Sequence, residues 1–331
     1  MCDEPKLREA YNEALPIVTQ FWIGLSQSEL SEKYKAIKES AEFKTLSATR
    51  QRIINEELKD FMLAGAFLPA KRKEQLKTVK ETLAKESQKF SENLLDATNA
   101  YGLLVENKSD LAGIPEDDIA SFKEAAQAAG QEGYRITLQV PHYLAVMQYA
   151  QNRALRETLY KAYVTRASEL DFDGRFNNNN VMRHIVELRE AEAKLLGFKN
   201  YGEVSLATKM ADTPREVIAF LRDLAKRSLP QAKNDMKEVK QFARDTLKID
   251  DPQSWDLPFA SEKLRQARYS YSDQEVKQYF TLPNVFNGLF GLVQTLFGIR
   301  IVPDMAPVWH PDVQFFRIEN DKGEKVAQFY M

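Results

Sequence analysis

His142, His184 and His310 are the only three histidines in the 331 residues, and all are far apart in sequence. Metal-assisted hydrolysis on a helix uses H-E-x-x-H, because positions i and i+4 put two imidazoles on one face with the Glu placed to activate a metal-bound water. That pattern does not occur in this chain. His184, Glu187 and Glu190 do recur at three-residue steps, which sets them on a common helix face. Metal sites in helix bundles use Glu-x-x-His in the opposite order and in pairs, so this trio reads as a partly exposed helix face. His310, between Trp309 and Pro311, reads as a turn histidine, hydrogen-bonded or solvated. His142 follows Pro141 at a helix start and has no partner evident from the sequence.

Other chemistries also lack their residues. There is no G-x-S-x-G elbow, and neither a Walker A pattern nor G-x-G-x-x-G to cradle phosphates. Asp171 and Asp173 in DFDGRFNNNN begin like a calcium loop, but the Gly at position six and the Glu at position twelve are missing. The stretch reads instead as a polar loop between helices. Carboxylate pairs are plentiful, yet in a chain with 28% charged residues they carry no specific signal for acid–base work. On residue chemistry alone, no catalytic residue and no metal ligand is assigned, and the substrate-binding residues are unknown.

The elements that would carry any site are mostly helices. Leu7, Tyr11, Leu15, Val18 and Trp22 fall at three- and four-residue steps and predict a helix to about Gln27, kinked or broken at Pro16. Further helices are expected over Glu29–Glu39, Thr49–Phe67 and Ala70–Asn99. In the last, Leu76, Val79, Leu83, Phe90 and Leu94 form one stripe, expected to meet an antiparallel neighbour within the chain. Tyr101–Val105 and Tyr134–Val140 alternate like strands and bracket a helix that starts at Pro115 and ends near Gly130. Pro141 opens another helix, with Leu144, Met147 and Tyr149.

Beyond the polar loop, Asn180 or a neighbour is expected to cap the next helix. Thr213, Pro214 and Glu216 spell a capping box, with the helix turning Val217, Phe220, Leu221 and Leu224 inward and bending at Pro230. Shorter helices follow over Phe259–Tyr269 and Asn284–Phe297. Ile299–Val302 begins a strand, and Val313–Ile318 and Lys325–Tyr330 flank a turn at Glu319–Gly323 as a β-hairpin. The expected fold class is therefore mainly α, a multi-helix lobe with a small antiparallel hairpin near the C-terminus.

Composition narrows the function classes. Apolar residues make up 44%, and Gly and Pro number 13 each, which favours long helices in an ordinary globular chain. A net charge of −2, from 46 basic and 48 acidic residues, gives no electrostatic footprint for nucleic acid. No window approaches the roughly 18 apolar residues of a membrane span. The opening MCDEPKLREAY has no apolar core of a secretory signal, and the single cysteine, Cys2, excludes an internal disulfide. The expected compartment is the cytoplasm.

Several stretches carry a further signal together. They are LREAY from Leu7, NLLDATNAY from Asn93, YKAYVTRAS from Tyr160, LLGFKNY from Leu195, SLATKMA from Ser205 and LRDLAKRSLPQA from Leu221. Trp255–Asp256 followed by Ser261–Glu262–Lys263, NGLF from Asn287 and VWHPDVQFF from Val308 complete the set. In these the chain resembles the oligopeptidase A and thimet-oligopeptidase-like family of zinc metallopeptidases over nearly its whole length. It departs locally at Phe259–Ala260, where relatives often show an aromatic pair.

The resemblance implies a mostly helical, two-lobed enzyme with a deep channel, cleaving internal bonds of short peptides with zinc held by H-E-x-x-H and a downstream Glu. Those residues belong to a half that would follow Tyr330, and none transfers to a position here. The expectation is an N-terminal portion, truncated at both ends: an N-terminal helical domain over 1–138 and the beginning of the peptidase domain over 139–331. Such a chain has no zinc of its own and no activity alone, although zinc is expected in the full-length enzyme. Two alternatives stay open: a separate chain supplies the C-terminal half, or the chain is a non-catalytic helical module that binds peptides or a partner.

Overall fold

A computed structural model of the chain describes residues 4–270 and 273–331; the expectation for Cys2 lies outside the described residues. The described chain divides into one unit over Ala10–Leu264 and another that joins Arg265–Met331 to the residues before Ala10.

The larger unit is built from helices with one short β-excursion. Helix α1 runs Pro5–Ser26 without interruption at Pro16, against the expected break. The turn around Pro16 is largely exposed, so the carbonyl left without a donor can bond to water. Helices α2 (Leu30–Glu39) and α3 (Ala48–Leu63) pack as a pair. Helix α4 spans Ala70–Ala100. Strands β1 (Leu103–Val105) and β2 (Tyr134–Ile136) pair antiparallel, with Leu103 opposite Ile136, and enclose helix α5 (Glu116–Ala128). Helix α6 (Val140–Tyr149) and helix α7 (Arg153–Thr165) follow. Their inner faces close a core around Phe122, Leu111, Ile136, Val146 and Leu159, all fully buried.

Helix α8 (Asn179–Leu196) lies antiparallel on α4, as the stripe on α4 predicts. The direction follows from three cross-links: Lys80 with Glu192, Glu86 with His184, and Asn93 with Asn178. Asn178 stands at the N-cap of α8 but makes no side-chain cap bond. Its amide instead accepts from Asn93 Nδ2 at 2.8 Å and donates to the Phe90 carbonyl at 3.0 Å. Gly197 ends α8 in a left-handed conformation at φ 85°, which glycine adopts without strain.

Helix α9 (Tyr201–Leu206) leads into helix α10 (Pro214–Asp245). Thr213 caps the helix as expected, its Oγ1 accepting from the Glu216 N–H, while Glu216 Oε2 accepts from the N–H of Asp212, one residue before the cap, in place of the Thr213 N–H. One expectation for α10 fails. The helix continues through Pro230 to Asp245, but its apolar stripe faces outward, with Phe220 60%, Leu221 55% and Leu224 47% exposed. Only Ala243 of its 32 residues is buried. Periodicity establishes that α10 is amphipathic; it says nothing of what covers the apolar face, and no element of the Ala10–Leu264 unit does.

Helix α11 (Leu257–Tyr269) crosses the end of this unit. In the smaller unit, helices α12 (Asp273–Lys277) and α13 (Leu282–Phe297) precede strands β3 (Arg300–Pro303), β4 (Phe315–Glu319) and β5 (Lys325–Tyr330). The strands form one antiparallel sheet in the order β3-β4-β5, so the expected hairpin gains a third strand. Phe290 of α13 packs edge-on against Phe316 and Phe329 of the sheet. Glu319 is buried between Arg300 and Arg317. The outer face of α13, with Leu289, Leu292 and Leu296, is exposed.

An uncovered apolar stripe contributes little to the stability of the chain that carries it. Replacing Leu221 and Leu224 with Gln is expected to change the unfolding free energy by less than about 0.5 kcal/mol each, while lowering the binding of a hydrophobic dye. Urea unfolding and dye fluorescence check this; a loss of 2 kcal/mol or more, on the scale of an emptied core site, would show that the stripe is covered in solution.

Candidate functional site

The most densely bonded polar cluster of the larger unit joins the start of α7 to the segment before α11. Gly113 begins the construction. Its φ is +90°, and a Cβ there would fall 2.4 Å from the Tyr149 carbonyl oxygen, so only glycine permits this approach. Beside it the Gln151 N–H donates to the Ala112 carbonyl at 2.9 Å, fixing the turn into α7. Asn152 then caps α7 by accepting from the Leu155 N–H at 3.2 Å. That phase sends Leu155 and Leu159 into the core and carries Arg156 inside with them.

Arg156 is 1% exposed, and its partner Asp256 is fully buried. Arg156 donates from Nη1 to the Ala150 and Gln151 carbonyls, from Nε to the Trp255 carbonyl and from Nη2 to Asp256 Oδ1 at 2.7 Å. Its guanidinium lies 4.3 Å from the centre of the Phe259 ring. Arg153 contacts the same carboxylate from the other side, Nη2 to Oδ2 at 2.8 Å and Nε to both oxygens at 3.1 Å. The Gln253 N–H adds a fourth donor, and a fifth bond, at 3.0 Å. Burial alone pushes the Asp256 carboxyl up; the hydrogen bonds from Arg153, Arg156 and Gln253 outweigh it and hold the group below its ordinary value. Both oxygens are fully engaged, so this carboxylate has no capacity left to take a proton from water. The cluster is a clamp between α7 and the segment leading into α11.

The three histidines stay apart. His142 is buried beside Phe122 in an edge-to-face contact at 4.7 Å. The sequence suggested no partners for it, and the structure supplies two. The Thr137 N–H donates to Nδ1 at 3.2 Å, and Ser121 Oγ lies 3.0 Å from Nε2. Because Nδ1 accepts a backbone proton, the neutral ring carries its own proton on Nε2 and donates it to Ser121. The arrangement resembles a nucleophile–base pair in distance only, since a base must accept from its serine. Thr137, five residues upstream, was within reach of a local reading; Ser121 was not.

His184 meets Glu86 of α4 at 3.2 Å, while Glu190 pairs with Lys194 and Glu187 is exposed, so the trio on α8 does not converge. His310 is exposed in its turn, accepting from the Asp312 N–H at 3.3 Å. Asp173 pairs with Arg175 in the polar loop. Among the described residues, no three His, Cys, Asp or Glu side chains are placed to hold a metal ion. The described donors therefore offer no set that fits a catalytic zinc. No described helix is long and apolar enough to cross a membrane.

Comparison with known proteins bears on the same segments. The sequence profile of "Peptidase family M3" matches residues 146–331, from α6 through β5, and that of "Neurolysin/Thimet oligopeptidase, N-terminal domain" matches residues 1–74. The chain belongs to peptidase family M3. It is 38% identical to "Oligopeptidase A" of Escherichia coli over 333 residues, covering 99% of this chain and 49% of that relative. Identity to "Oligopeptidase A" of Haemophilus influenzae is 39%, with 98% and 48% covered. "Probable cytosolic oligopeptidase A" of Arabidopsis thaliana is 40% identical, with 99% and 48% covered. The M3 chain thus spans about half the length of these curated relatives and matches their N-terminal portion.

Two measurements check the electrostatics. Asp256→Asn is expected to lower the unfolding free energy by about 3–5 kcal/mol, because it strands a buried guanidinium. Glu157→Gln, which removes an exposed pair with Lys161, is expected to cost less than about 1 kcal/mol in the same urea titration. Burial pushes the His142 imidazole below its ordinary value. The unfolded chain therefore takes up this proton first, near pH 6.5, and the folded chain only at lower pH. The contribution of His142 is full above about pH 6.5 and is lost as pH falls towards its folded value. Urea midpoints at pH 7.5 and 5.5 are expected to differ more in the wild type than in His142→Gln.

Proposed function

We propose that this chain is the non-catalytic half of an oligopeptidase A-like peptidase: it forms part of the wall of a short-peptide site but holds no catalytic zinc and cleaves nothing on its own. One observation carries the reading. A chain that oligopeptidases match over 98–99% of its length, at about half their own, places no three described His, Cys, Asp or Glu side chains to hold a metal ion. No step of peptide hydrolysis is therefore derived through its own residues; zinc and the residues that hold it belong, on this reading, to the other half of the enzyme. The boundary proposed at 138/139, between a helical domain and the start of the peptidase domain, falls within the gap between the two profile matches. The word cytosolic in the name of one Arabidopsis relative supports a cytoplasmic location, although another is called organellar.

A second reading, that a separate polypeptide completes the enzyme, is favoured by the outward apolar stripe of α10. A patch of this kind normally marks a surface made to be covered.

Purified chain is expected to contain no stoichiometric zinc and to leave a quenched fluorescent peptide intact. Stoichiometric metal together with chelator-sensitive cleavage would overturn the proposal. Cleavage that appears only on adding the separately expressed C-terminal half of E. coli oligopeptidase A would support completion by a second chain.

A further inference from the structure

Away from the clamp and the histidines, the larger unit carries a groove of about 310 Å³ between α4 and the α6–α7 pair. Phe90 and Leu94 of α4 form one side, and Leu138, Val140 and Tyr163 form the other. The volume lies at the small end of ligand sites, sized for one apolar residue, not a cofactor. Arg166 is the single charged residue in its lining.

The state of Arg166 is unusual. Its guanidinium stacks 3.6 Å above the centre of the Tyr163 ring, and that ring stacks in turn on Tyr143 at 3.8 Å. The stack holds the planar group rigidly without consuming its in-plane donors. Nη1 donates to the Tyr163 carbonyl at 3.0 Å, an ordinary contact at the end of a helix. That cap explains Nη1 and nothing else. Nε is buried without a hydrogen-bond partner, and among the described residues no carboxylate forms a salt bridge with Arg166. Nε is out of reach of a ligand, whereas Nη2 makes no hydrogen bond among the described residues; a preorganised cation with that donor unused, on the lining of an apolar groove, is half of a charge-assisted hydrogen-bond pair.

We propose that this groove binds the C-terminal carboxylate of a short peptide, with Arg166 pairing the carboxylate and the last, apolar side chain lying between Phe90, Leu94 and Leu138. Gln139, at the rim, has a side-chain amide available for the peptide bond that precedes it. The proposal rests on the short-peptide reading for its choice of ligand. Its test needs neither zinc nor turnover, so loss of the catalytic reading leaves it testable.

The experiment is calorimetric titration of the whole chain with N-acetyl-leucyl-leucine, with its C-terminal amide, and with hexanoate. Saturable binding of the free acid is expected, weakened about tenfold or more in the amide because the charge-assisted pair is lost. Arg166→Gln is expected to abolish the difference between acid and amide with an unchanged circular dichroism spectrum, while Arg166→Lys keeps part of it. Should Arg166→Gln fail to fold, Ser91→Trp obstructs the groove from an exposed position on α4, and loss of binding is the expected result. No saturation with the free acid, equal affinity for the amide, or indifference to both substitutions would overturn the site. Hexanoate binding as tightly as the dipeptide would overturn the peptide as its occupant.

Discussion

One buried carboxylate organises the larger unit. Asp256 lies in a region where a lone charge would be prohibitively costly, and it persists because two guanidinium groups and a backbone N–H saturate it. The converse holds as well: Arg156 can be carried into the core with Leu155 and Leu159 only because Asp256 and three carbonyls receive its donors. Each half of the clamp makes the other tolerable. The Phe259 ring lies against the same guanidinium, so the path of α11 is tied to the phase of α7. Such a cluster contributes less to net stability than its bond count suggests, since desolvation offsets much of the attraction. What it enforces is register, because a shift of one residue on either segment would leave charges buried and unmet.

The apolar faces present the opposite situation. The α4–α8 pair and the α5–α7 core bury their stripes, whereas α10, with 32 residues and a length of about 48 Å, turns its stripe to water. Its N-terminal cap and backbone hydrogen bonds, interrupted only at Pro230, give it local order without tertiary burial. On the reading proposed above, these are surfaces shaped for polypeptide that is not part of these 331 residues. The smaller unit shows the same mixture, with a compact aromatic cluster under the sheet and an apolar outer face on α13.

How far the sequence could be read depended on the distance over which each feature is determined. The cap at Thr213, the helix end near Gly130 and the α4 stripe are set within a few residues, and all were legible. The outward face of α10 was misread because amphipathic spacing identifies a stripe but not its neighbour. A break at Pro16, one of the two outcomes expected there, does not occur because solvent can satisfy what proline leaves open. The clamp was out of reach for another reason. Arg156 and Asp256 are 100 residues apart, and nothing in the local pattern around either marks it as buried. Arg166 lies within a family stretch, yet its stacking on Tyr163 depends on the turn at the end of α7.

The clamp also bears on how freely the chain between its jaws can change. It closes a segment of about a hundred residues that contains the polar loop, α8, α9 and α10. The entropy of closing so long a loop grows only with the logarithm of its length, so doubling it would cost about 0.6 kcal/mol. Residues could be added or removed between α7 and Trp255, above all in the exposed stretch around Gly174, with little effect on the joint that holds the ends together. The same bonds that fix register at residues 153, 156 and 256 leave the intervening polypeptide open to evolutionary drift in length.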